Sequence, residues 1–552
     1  SDGSTLTIGN SVIAAGSEAQ VTTSGLSFAF LNNTTLSAGG SFLTLGSGAT
    51  VTSEGTSVLA LLTYSGSTIE LGGDALAMAG GSRLTMDRGL LVASNSLVTA
   101  GGSVIDLDAG ASLESGGPSA QALVLAFNTE IQTEQDAFLL RPGAALTVNR
   151  PLLHLSGAAL VSNGGGVLNL GTGASLTSPE VTTIPLLLAF DGSFVGSQAD
   201  MVQLGASAQI NMVRPLLSGR QSDFLSDAGF LHVGAGAVLS STGEASTLVQ
   251  LDRGSFVAGG SFTQIDAGGR VSINRPLLLT ANASTTFPTG LVSVAPGGQL
   301  TTTSPDPLVS LLVGTHQIGT ASGAAMFSLT GSATALDTES GLILGDTRPV
   351  QAPGGLLFTL ASTVTGESAV KVDTALFEAS APLMHLRTAS VMTTSRDAVD
   401  MSLRAKVTSL GPAVRLDGSS LTVQTGALFN LAGGSFLRVT GDLVELANSS
   451  TLSLLNGPVL SANGGSAVNV SGSFVAFTGT GGNRVNITNN LCPCTLVSGV
   501  PVALRDGALS TNVTIGPNAI KNPSLGTITL GSANTAAIVL SGPASKVSIA
   551  AP

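Results

Sequence analysis

A short phrase that returns about every 31 residues constrains the fold of this 552-residue chain more than any other feature, because such self-similarity is the signature of a repeat architecture. The phrase is an apolar residue, any residue, an apolar residue and then Gly or another small residue, as in Leu-Thr-Leu-Gly at 43–46. The last apolar residue of each copy falls at 45, 78, 107, 140, 170, 204, 233, 265, 294, 329 and 360. An earlier copy ends at Ile8, later copies end at Leu403 and Leu431, and a less regular one ends at Val470.

The repeat also has a double period, because longer and shorter units alternate. A second phrase, Arg-Pro-Leu-Leu, begins at Arg150, Arg214 and Arg275, and Arg88-Gly-Leu-Leu is a related copy. The spacing between these arginines is close to twice the length of one unit, so the phrase marks every second unit.

Within a unit, apolar residues alternate with small polar ones over a few positions, which is the pattern of a β-strand. Gly, Ser, Asn and Asp separate these runs and favour turns. About 31 residues can hold three short strands and three corners, and stacked units would pair each strand with its counterpart. The sequence therefore predicts an all-β protein, a parallel β-helix (β-solenoid). The long and variable coil favours the right-handed form over the left-handed form with strict six-residue steps.

The domain prediction follows from where the repeat is regular. We expect the parallel β-helix over 1–480, with an irregular excursion at about 310–400. From 481 the repeat fades and an Asn-rich stretch follows. We expect 481–552 to form a C-terminal β module that acts as a cap or as a contact region between subunits.

Composition excludes several classes of function. The net charge is −12, only 10% of residues are charged, and all the lysines lie beyond residue 370, so a nucleic-acid interface or a polybasic membrane patch is not expected. No apolar run reaches the roughly 18 residues that a membrane-spanning helix needs. The chain begins at Ser1 without a basic and apolar leader, which indicates a processed and exported form.

Residues that could carry catalysis do not form a recognisable set. Asp106 and Asp108 would face the same side of one strand, but a carboxylate near a turn is common without any catalytic role. The four histidines are far apart in the repeat, and no phosphate-binding loop or nucleophile motif is present. We therefore expect no enzyme activity and no catalytic, cofactor-binding or metal site. The histidines are His154, His232, His316 and His385.

Cys492 and Cys494, separated by Pro493, are the two cysteines of the chain. A redox pair, a metal pair and a crosslink to another subunit are alternatives, but a small disulfide loop is favoured for an exported protein. An extended strand would hold the two Cα atoms near the upper limit for a disulfide, so the prediction requires a turn.

The arginines at alternate units have two interpretations. In the first, each guanidinium caps carbonyls or pairs with acids at a corner, and the following Pro fixes the entry into the next strand. In the second, they form an exterior ladder that meets acids of a neighbouring molecule. The residues concerned are Arg88, Arg150, Arg214 and Arg275.

The segment 40–49, Gly-Ser-Phe-Leu-Thr-Leu-Gly-Ser-Gly-Ala, and its copies resemble secreted bacterial β-solenoid proteins. These are the repeats of filamentous haemagglutinin-like exoproteins and the passenger domains of autotransporters. The resemblance covers most of 1–480 and implies an extracellular or cell-surface location and a structural or adhesive role. It transfers no functional residues.

The leading hypothesis is a secreted structural protein whose partner is itself, assembled into an extracellular fibre or surface layer. The alternatives are a monomeric adhesin or passenger fragment that binds a host or sugar surface and, less favoured, a β-helix enzyme that acts on polysaccharides. The surface or carbohydrate ligand of such an adhesin is not identified by the sequence.

Overall fold

The computed structural model of the chain describes residues 3–24, 27–54, 60–116, 121–243, 246–331, 350–489, 494–497, 500–505, 509–530, 536–542 and 545–549. The chain divides into two compact units, Ser1–Arg275 and Pro276–Pro552, called the N-terminal and C-terminal units below. Each is a β-solenoid of parallel coils, which confirms the predicted fold class. Within these described ranges, no helix combines the length and hydropathy that a membrane span requires.

The N-terminal unit has a first coil of three strands and then eight coils of four strands. Its strands are β1 Thr5–Ile8, β2 Ile13–Ala15, β3 Gln20–Thr23, β4 Ala29–Asn32, β5 Thr35–Ala38, β6 Leu43–Leu45, β7 Thr50–Ser53, β8 Leu62–Ser65, β9 Thr68–Leu71, β10 Leu76–Met78, β11 Arg83–Met86, β12 Leu91–Ser94, β13 Leu97–Ala100, β14 Ile105–Leu107, β15 Ser112–Ser115, β16 Val124–Phe127, β17 Glu130–Thr133, β18 Phe138–Leu140, β19 Ala145–Val148, β20 Leu153–Ser156, β21 Ala159–Ser162, β22 Leu168–Leu170, β23 Ser175–Ser178, β24 Leu187–Phe190, β25 Phe194–Ser197, β26 Val202–Leu204, β27 Gln209–Met212, β28 Leu217–Arg220, β29 Asp223–Ser226, β30 Leu231–Val233, β31 Val238–Ser241, β32 Val249–Asp252, β33 Ser255–Ala258, β34 Ser261–Ile265 and β35 Arg270–Ile273.

The C-terminal unit follows the same plan and, within its described residues, adds a short 3₁₀ helix, Pro523–Leu525. Its strands are β36 Leu278–Phe287, β37 Gly290–Val294, β38 Gln299–Thr302, β39 Val309–Ile318, β40 Phe327–Thr330, β41 Val350–Gln351, β42 Leu357–Gly366, β43 Val370–Asp373, β44 Leu376–Ala379, β45 Met384–Arg387, β46 Val391–Thr394, β47 Val399–Ser402, β48 Lys406–Ser409, β49 Val414–Asp417, β50 Ser420–Val423, β51 Phe429–Leu431, β52 Phe436–Val439, β53 Val444–Ala447, β54 Thr451–Leu454, β55 Leu460–Ala462, β56 Ala467–Val470, β57 Val475–Thr478, β58 Asn483–Ile487, β59 Cys494–Val497, β60 Val500–Arg505, β61 Asn512–Ile515, β62 Ile520–Lys521, β63 Gly526–Leu530, β64 Ile538–Ser541 and β65 Lys546–Ile549.

The strands belong to three sheets, which are called A, B and C here. A full coil contributes two consecutive strands to sheet A, then one to sheet B and one to sheet C, and each strand pairs in parallel with its counterpart in the next coil. The prediction of three strands per coil was therefore incomplete, because the sheet A face bends between its two strands. In several coils one residue with positive φ makes this bend, as at Asn33, Asn95 and Asn128 (φ 48°, 48° and 45°). Asn tolerates this left-handed conformation better than most residues do.

The repeat phrase corresponds to sheet B. Leu45, Met78, Leu107 and Leu140 are register partners in the successive strands β6, β10, β14 and β18. The middle residue of each three-residue strand points outward, while the residues on either side of it point inward and are buried. The two apolar residues of the repeat phrase are thus the two inward-pointing residues that each coil contributes to sheet B.

The phrase was assigned wrongly at four positions, Ile8, Leu360, Leu403 and Val470. Ile8 and Leu360 lie in β1 and β42 of sheet A, and Val470 lies in β56 of sheet C. Leu403 lies outside the strands, with φ of 51° and 61% of its surface exposed. The register partner of Leu329 is Val372 rather than Leu360, because more residues separate successive strands of sheet B here than in the neighbouring coils.

The predicted excursion at about 310–400 coincides partly with this longer coil. Residues 332–349 lie outside the described residues, and the chain is described again from β41, which pairs with β38 of sheet C. Around it, β36, β39 and β42 each join the two strands of sheet A into one ten-residue strand. Parallel coils continue on both sides of the excursion.

Beyond residue 481, β61, β62 and β63 pair in parallel with β56, β57 and β58, so the solenoid ladders continue through the predicted module boundary. Sheet B changes here. β59 and β60 form an antiparallel hairpin, and β64 lies between β55 and β60. The order of strands in sheet B therefore departs from the order in the chain, because β64 lies next to β55 and the earlier hairpin β59–β60 lies on the outer side of β64.

We predict that Leu170→Asp or Leu204→Asp destabilises neighbouring coils of the N-terminal unit. The two leucines are register partners, with 0% and 1% of their surfaces exposed, and an unpaired carboxylate there should cost several kcal/mol. Hydrogen exchange should show lost amide protection in adjacent coils and retained protection in distant ones. Loss spread evenly over the unit would contradict independent coil-to-coil stacking.

Candidate functional site

The four repeated arginines lie at corners that connect sheet C to sheet A. Each follows a sheet C strand, as Arg150 follows β19 and Arg214 follows β27. The four residues are 1%, 0%, 0% and 1% exposed in chain order and are among the largest fully buried side chains. They lie inside the corner rather than on the surface.

Three of these guanidinium groups reach back across two coils. Nη2 of Arg150 donates to the carbonyl oxygen of Asp87 at 3.0 Å, and Nη2 of Arg214 donates to that of Asn149 at 3.0 Å. Nη2 of Arg275 donates in the same way to Val213 at 2.8 Å. In all three cases the acceptor is the residue immediately before the preceding arginine of the series, so the arginines form an internal ladder.

Corner lengths explain why this ladder has a double period. The corner that holds Arg150 has four residues between strands, 149–152, whereas the preceding corner has eight, 116–123. Arg150 also donates from Nε to the carbonyl oxygen of Gly116 at the base of that longer corner, at 3.0 Å. The guanidinium therefore donates to the carbonyl at the start of the longer corner as well as to one two coils away.

The structure supports the first interpretation of the arginines and contradicts the second. Since the side chains are buried, they cannot meet acids of a neighbouring molecule as an exterior ladder. Burial lowers the pKa of Arg150 and Arg214, and it lowers the pKa of Arg275 to about 10. All three remain charged at neutral pH. Carbonyl dipoles stabilise these charges, helped at Arg214 by Glu180 at 3.4 Å.

We predict that Arg150→Ala and Arg150→Met both destabilise the protein by roughly 2–4 kcal/mol, because each leaves buried carbonyls without donors. Met restores part of the lost volume, so a similar cost in both variants would assign the effect to hydrogen bonding. The measurement is the shift in the denaturant midpoint.

Arg83→Ala is the matched control. Arg83 pairs with Glu114 at 3.3 Å, but the two side chains are 59% and 50% exposed, so its removal should cost less than about 1 kcal/mol. Equal midpoints for Arg150→Ala and Arg83→Ala would contradict the corner role.

A second ladder, missed in the sequence, follows the same double period. Asp74, Asp136 and Asp200 lie at the corner between sheets A and B, with the same spacing as the first three arginines. In each, Oδ1 accepts the backbone N–H of a residue in the next coil, at 2.6–2.7 Å. The sequence does contain a signal for this ladder, because each Asp lies at the same distance before the repeat phrase that forms a strand of sheet B.

In this ladder Asp200 also contributes to a three-residue cluster. His232, the outward residue of β30, lies 3.3 Å from Asp200 through Nδ1 and 2.9 Å from Asp266 through Nε2. Hydrogen bonding to Asp200 and then to Asp266 raises the pKa of His232 to about 9, although partial burial opposes the shift. The protonated imidazolium therefore links three successive coils at neutral pH.

We predict that this cluster stabilises the N-terminal unit at neutral and mildly acidic pH. Because the pKa is raised above the value of about 6.5 in the unfolded chain, the stabilisation is complete below that value and is lost as pH rises through about 9. An NMR titration should give His232 a pKa well above that of His154, which burial lowers. Asp266→Asn should move the pKa of His232 down. A His232 pKa near 6.5 would contradict the cluster.

The other histidines and the Asp-x-Asp pair occupy separate settings. His154 lies between the rings of Phe127 and Phe190, at centroid distances of 6.2 and 5.6 Å. Asp106 accepts hydrogen bonds from Arg141, with the shortest contact at 2.8 Å, and Oδ1 of Asp108 accepts the next backbone N–H at its turn. Across the part of the chain that the structure describes, no three His, Cys, Asp or Glu side chains are grouped as metal ligands would be.

His316 and His385 belong to the C-terminal unit. The imidazole Nδ1 of His316 is 2.9 Å from the hydroxyl of Thr285, and burial lowers the pKa of His316 to about 4. The ring of His385 packs against Phe358 at a centroid distance of 5.3 Å. Both are explained by local packing.

The predicted Cys492–Cys494 disulfide lies outside the described side chains. Residues 490–493 are not described, and of Cys494 only its backbone position in β59 is.

The first coil of the N-terminal unit has open strand edges. Among the described residues, β1, β2 and β3 pair only with β5, β6 and β7 of the next coil. Leu6 and Val21 point inward but are each 40% exposed, whereas their register partners Leu36 and Val51 are 0% and 2% exposed. One face of this coil therefore presents apolar side chains together with unpaired backbone groups.

The last described coil of the C-terminal unit is covered on one sheet and open on two. The β59–β60 hairpin covers β64 in sheet B, and Ile538 and Leu540 are fully buried. In sheets A and C, β63 and β65 pair with preceding strands, and inward residues such as Ile528 and Val547 are only partly covered. These two open edges and those of the first coil have the same kind of surface.

No protein-family model, curated protein or solved structure matches this chain.

Proposed function

We propose that the protein is an extracellular structural protein, without catalytic function, whose copies associate end to end into a fibre or surface layer. The observation that carries the proposal is the exposure of inward-facing apolar side chains at open strand edges, above all Leu6 and Val21 in the first coil. A further β-coil placed on these edges would bury the side chains and pair the backbone groups.

In sheets A and C, each of the two open coils can supply the strand edge that the other lacks. The first coil presents strands of sheets A, B and C, and the last described coil presents β63 and β65 of sheets A and C. A contact between two different ends of one molecule is heterologous, and repeated heterologous contacts produce open filaments. Residues 481–552 therefore serve, in this proposal, as the contact region between subunits.

The side faces of the coils are compatible with close association. Only 10% of residues are charged, so contact between side faces would desolvate few charged groups. The extracellular location rests on the resemblance of the repeat to secreted β-solenoid proteins.

The test is assembly of the purified chain, followed by light scattering and negative-stain electron microscopy. We expect long assemblies from the unmodified protein and none from the double variant Leu6→Lys, Val21→Lys. These positions are already 40% exposed, so the lysines should leave the solenoid folded while charging the edge.

Thr7→Lys with Thr22→Lys is the matched control, because these residues lie on the same strands and point away from the interior. The control should assemble. If the unmodified protein remains monomeric at high concentration, or if the two lysine pairs behave alike, end-to-end assembly is excluded.

A monomeric surface-binding protein is the second candidate function. The observation that favours it is a cavity in the C-terminal unit that is lined largely by polar groups.

A further inference from the structure

A cavity of about 280 Å³ opens at the corner between sheets A and B of the C-terminal unit. It spans successive coils, from the corner before β47 to strand β64. Its lining comprises Asp397, Gly426, Ala427, Asn430, Asn456, Gly457, Pro458, Ser461 and Val539.

The corner carboxylate here is the counterpart of those in the N-terminal unit. Oδ1 of Asp397 accepts the backbone N–H of Ala427 at 2.5 Å, as Oδ1 of Asp136 accepts that of Gly166 at 2.6 Å. Gly426 permits this approach, because a Cβ at that position would lie 2.3 Å from the same oxygen. This part of the arrangement holds two coils together.

The second carboxylate oxygen differs between the two corners. At Asp136, Oδ2 accepts a hydrogen bond from the amide of Asn169 at 3.0 Å. Asn430 occupies the equivalent position relative to Asp397, but its amide donates to Oδ1 of Asp400 at 3.0 Å. The N-terminal unit has Leu139 where Asp400 lies, so the amide of Asn169 has no such competing acceptor.

Two polar groups at the cavity are consequently left for a ligand. Oδ2 of Asp397 and the hydroxyl of Ser461 make no hydrogen bond to another residue within the described part of the chain, and Asp397 is partly buried. Burial raises the pKa of Asp397 and the neighbouring Asp400 adds to the shift, while backbone N–H donors oppose it.

The remaining lining alternates polar and aliphatic surface. The side chains of Asn430 and Asn456 add polar surface, and Ala427, Pro458 and Val539 add aliphatic contacts. A saccharide presents hydroxyl groups at its edges and C–H groups on its faces, so it matches both kinds of surface. Anionic ligands fit poorly, since Asp397 and Asp400 lie side by side and the chain has a net charge of −12.

We propose that this cavity binds one neutral saccharide unit, with Oδ2 of Asp397 accepting a hydroxyl proton and Ser461 forming a second hydrogen bond. A resident Ca²⁺ fits less well, because it needs about six to eight oxygen ligands, whereas one oxygen of each nearby carboxylate is already used within the protein.

The experiment is saturation-transfer-difference NMR on the full chain with D-glucose, D-galactose and N-acetyl-D-glucosamine as separate probes. At least one probe should show saturation transfer, and Asp397→Asn should weaken its binding by about tenfold or more, because the free acceptor becomes an amide donor. The Asn side-chain oxygen can still accept the N–H of Ala427. Circular dichroism and the denaturant midpoint should therefore change little.

Asp136→Asn is the matched control and should leave the saturation transfer unchanged. Ser461→Ala is the second test variant. It removes the serine hydroxyl that is proposed to bind the sugar and leaves the hydrogen bond between Asp397 and Ala427 intact, so it should also weaken binding. The proposal is overturned if none of the three sugars binds, or if Asp397→Asn and Ser461→Ala bind as the unmodified chain does. It is also overturned if calorimetry with CaCl₂ shows binding that Asp397→Asn abolishes while no sugar binds.

Discussion

Burial in this protein depends on stacking between coils. A single coil is one strand thick, so its inward side chains are covered only by the coils on either side of it. Leu36 and Ile69 are completely buried because each has a coil above and below, whereas Leu6, one coil earlier in the same column, is 40% exposed. The same constraint that builds the interior also makes an open end apolar, and this connects the fold to the proposed assembly.

Stacking is easy to maintain along straight strands and difficult at corners, where coils differ in length. The protein solves this with charged side chains that bond to backbone. At the corner between sheets C and A, arginines satisfy carbonyls up to two coils away. At the corner between sheets A and B, aspartates accept N–H groups from the next coil. The chain has few charged residues, and several of them stabilise the solenoid by hydrogen bonding to backbone groups at its corners.

The aspartate corner is also the basis of the proposed binding site. Asp136 and Asp397 make the same backbone hydrogen bond. Where the N-terminal unit has Leu139, the C-terminal unit has Asp400; the amide of Asn430 donates to Asp400, and Asp397 lines a cavity. The proposed ligand contacts, Asp397 and Ser461, lie outside the proposed contact region 481–552, although Val539 of that region also lines the cavity.

The sequence by itself determined the strand-and-corner repeat, the parallel stacking and the inward positions, because the regular period and the alternation of apolar residues are local properties. It also showed the double period of the arginines, but it could not decide whether they lie inside or outside. That depends on the unequal corners, since an eight-residue corner leaves carbonyls that Arg150 can reach. The tertiary structure alone brought His232 between Asp200 and Asp266, and placed β64 between β55 and β60. These contacts join residues one coil or more apart in sequence, and a small change in the length of one corner alters which side chains meet.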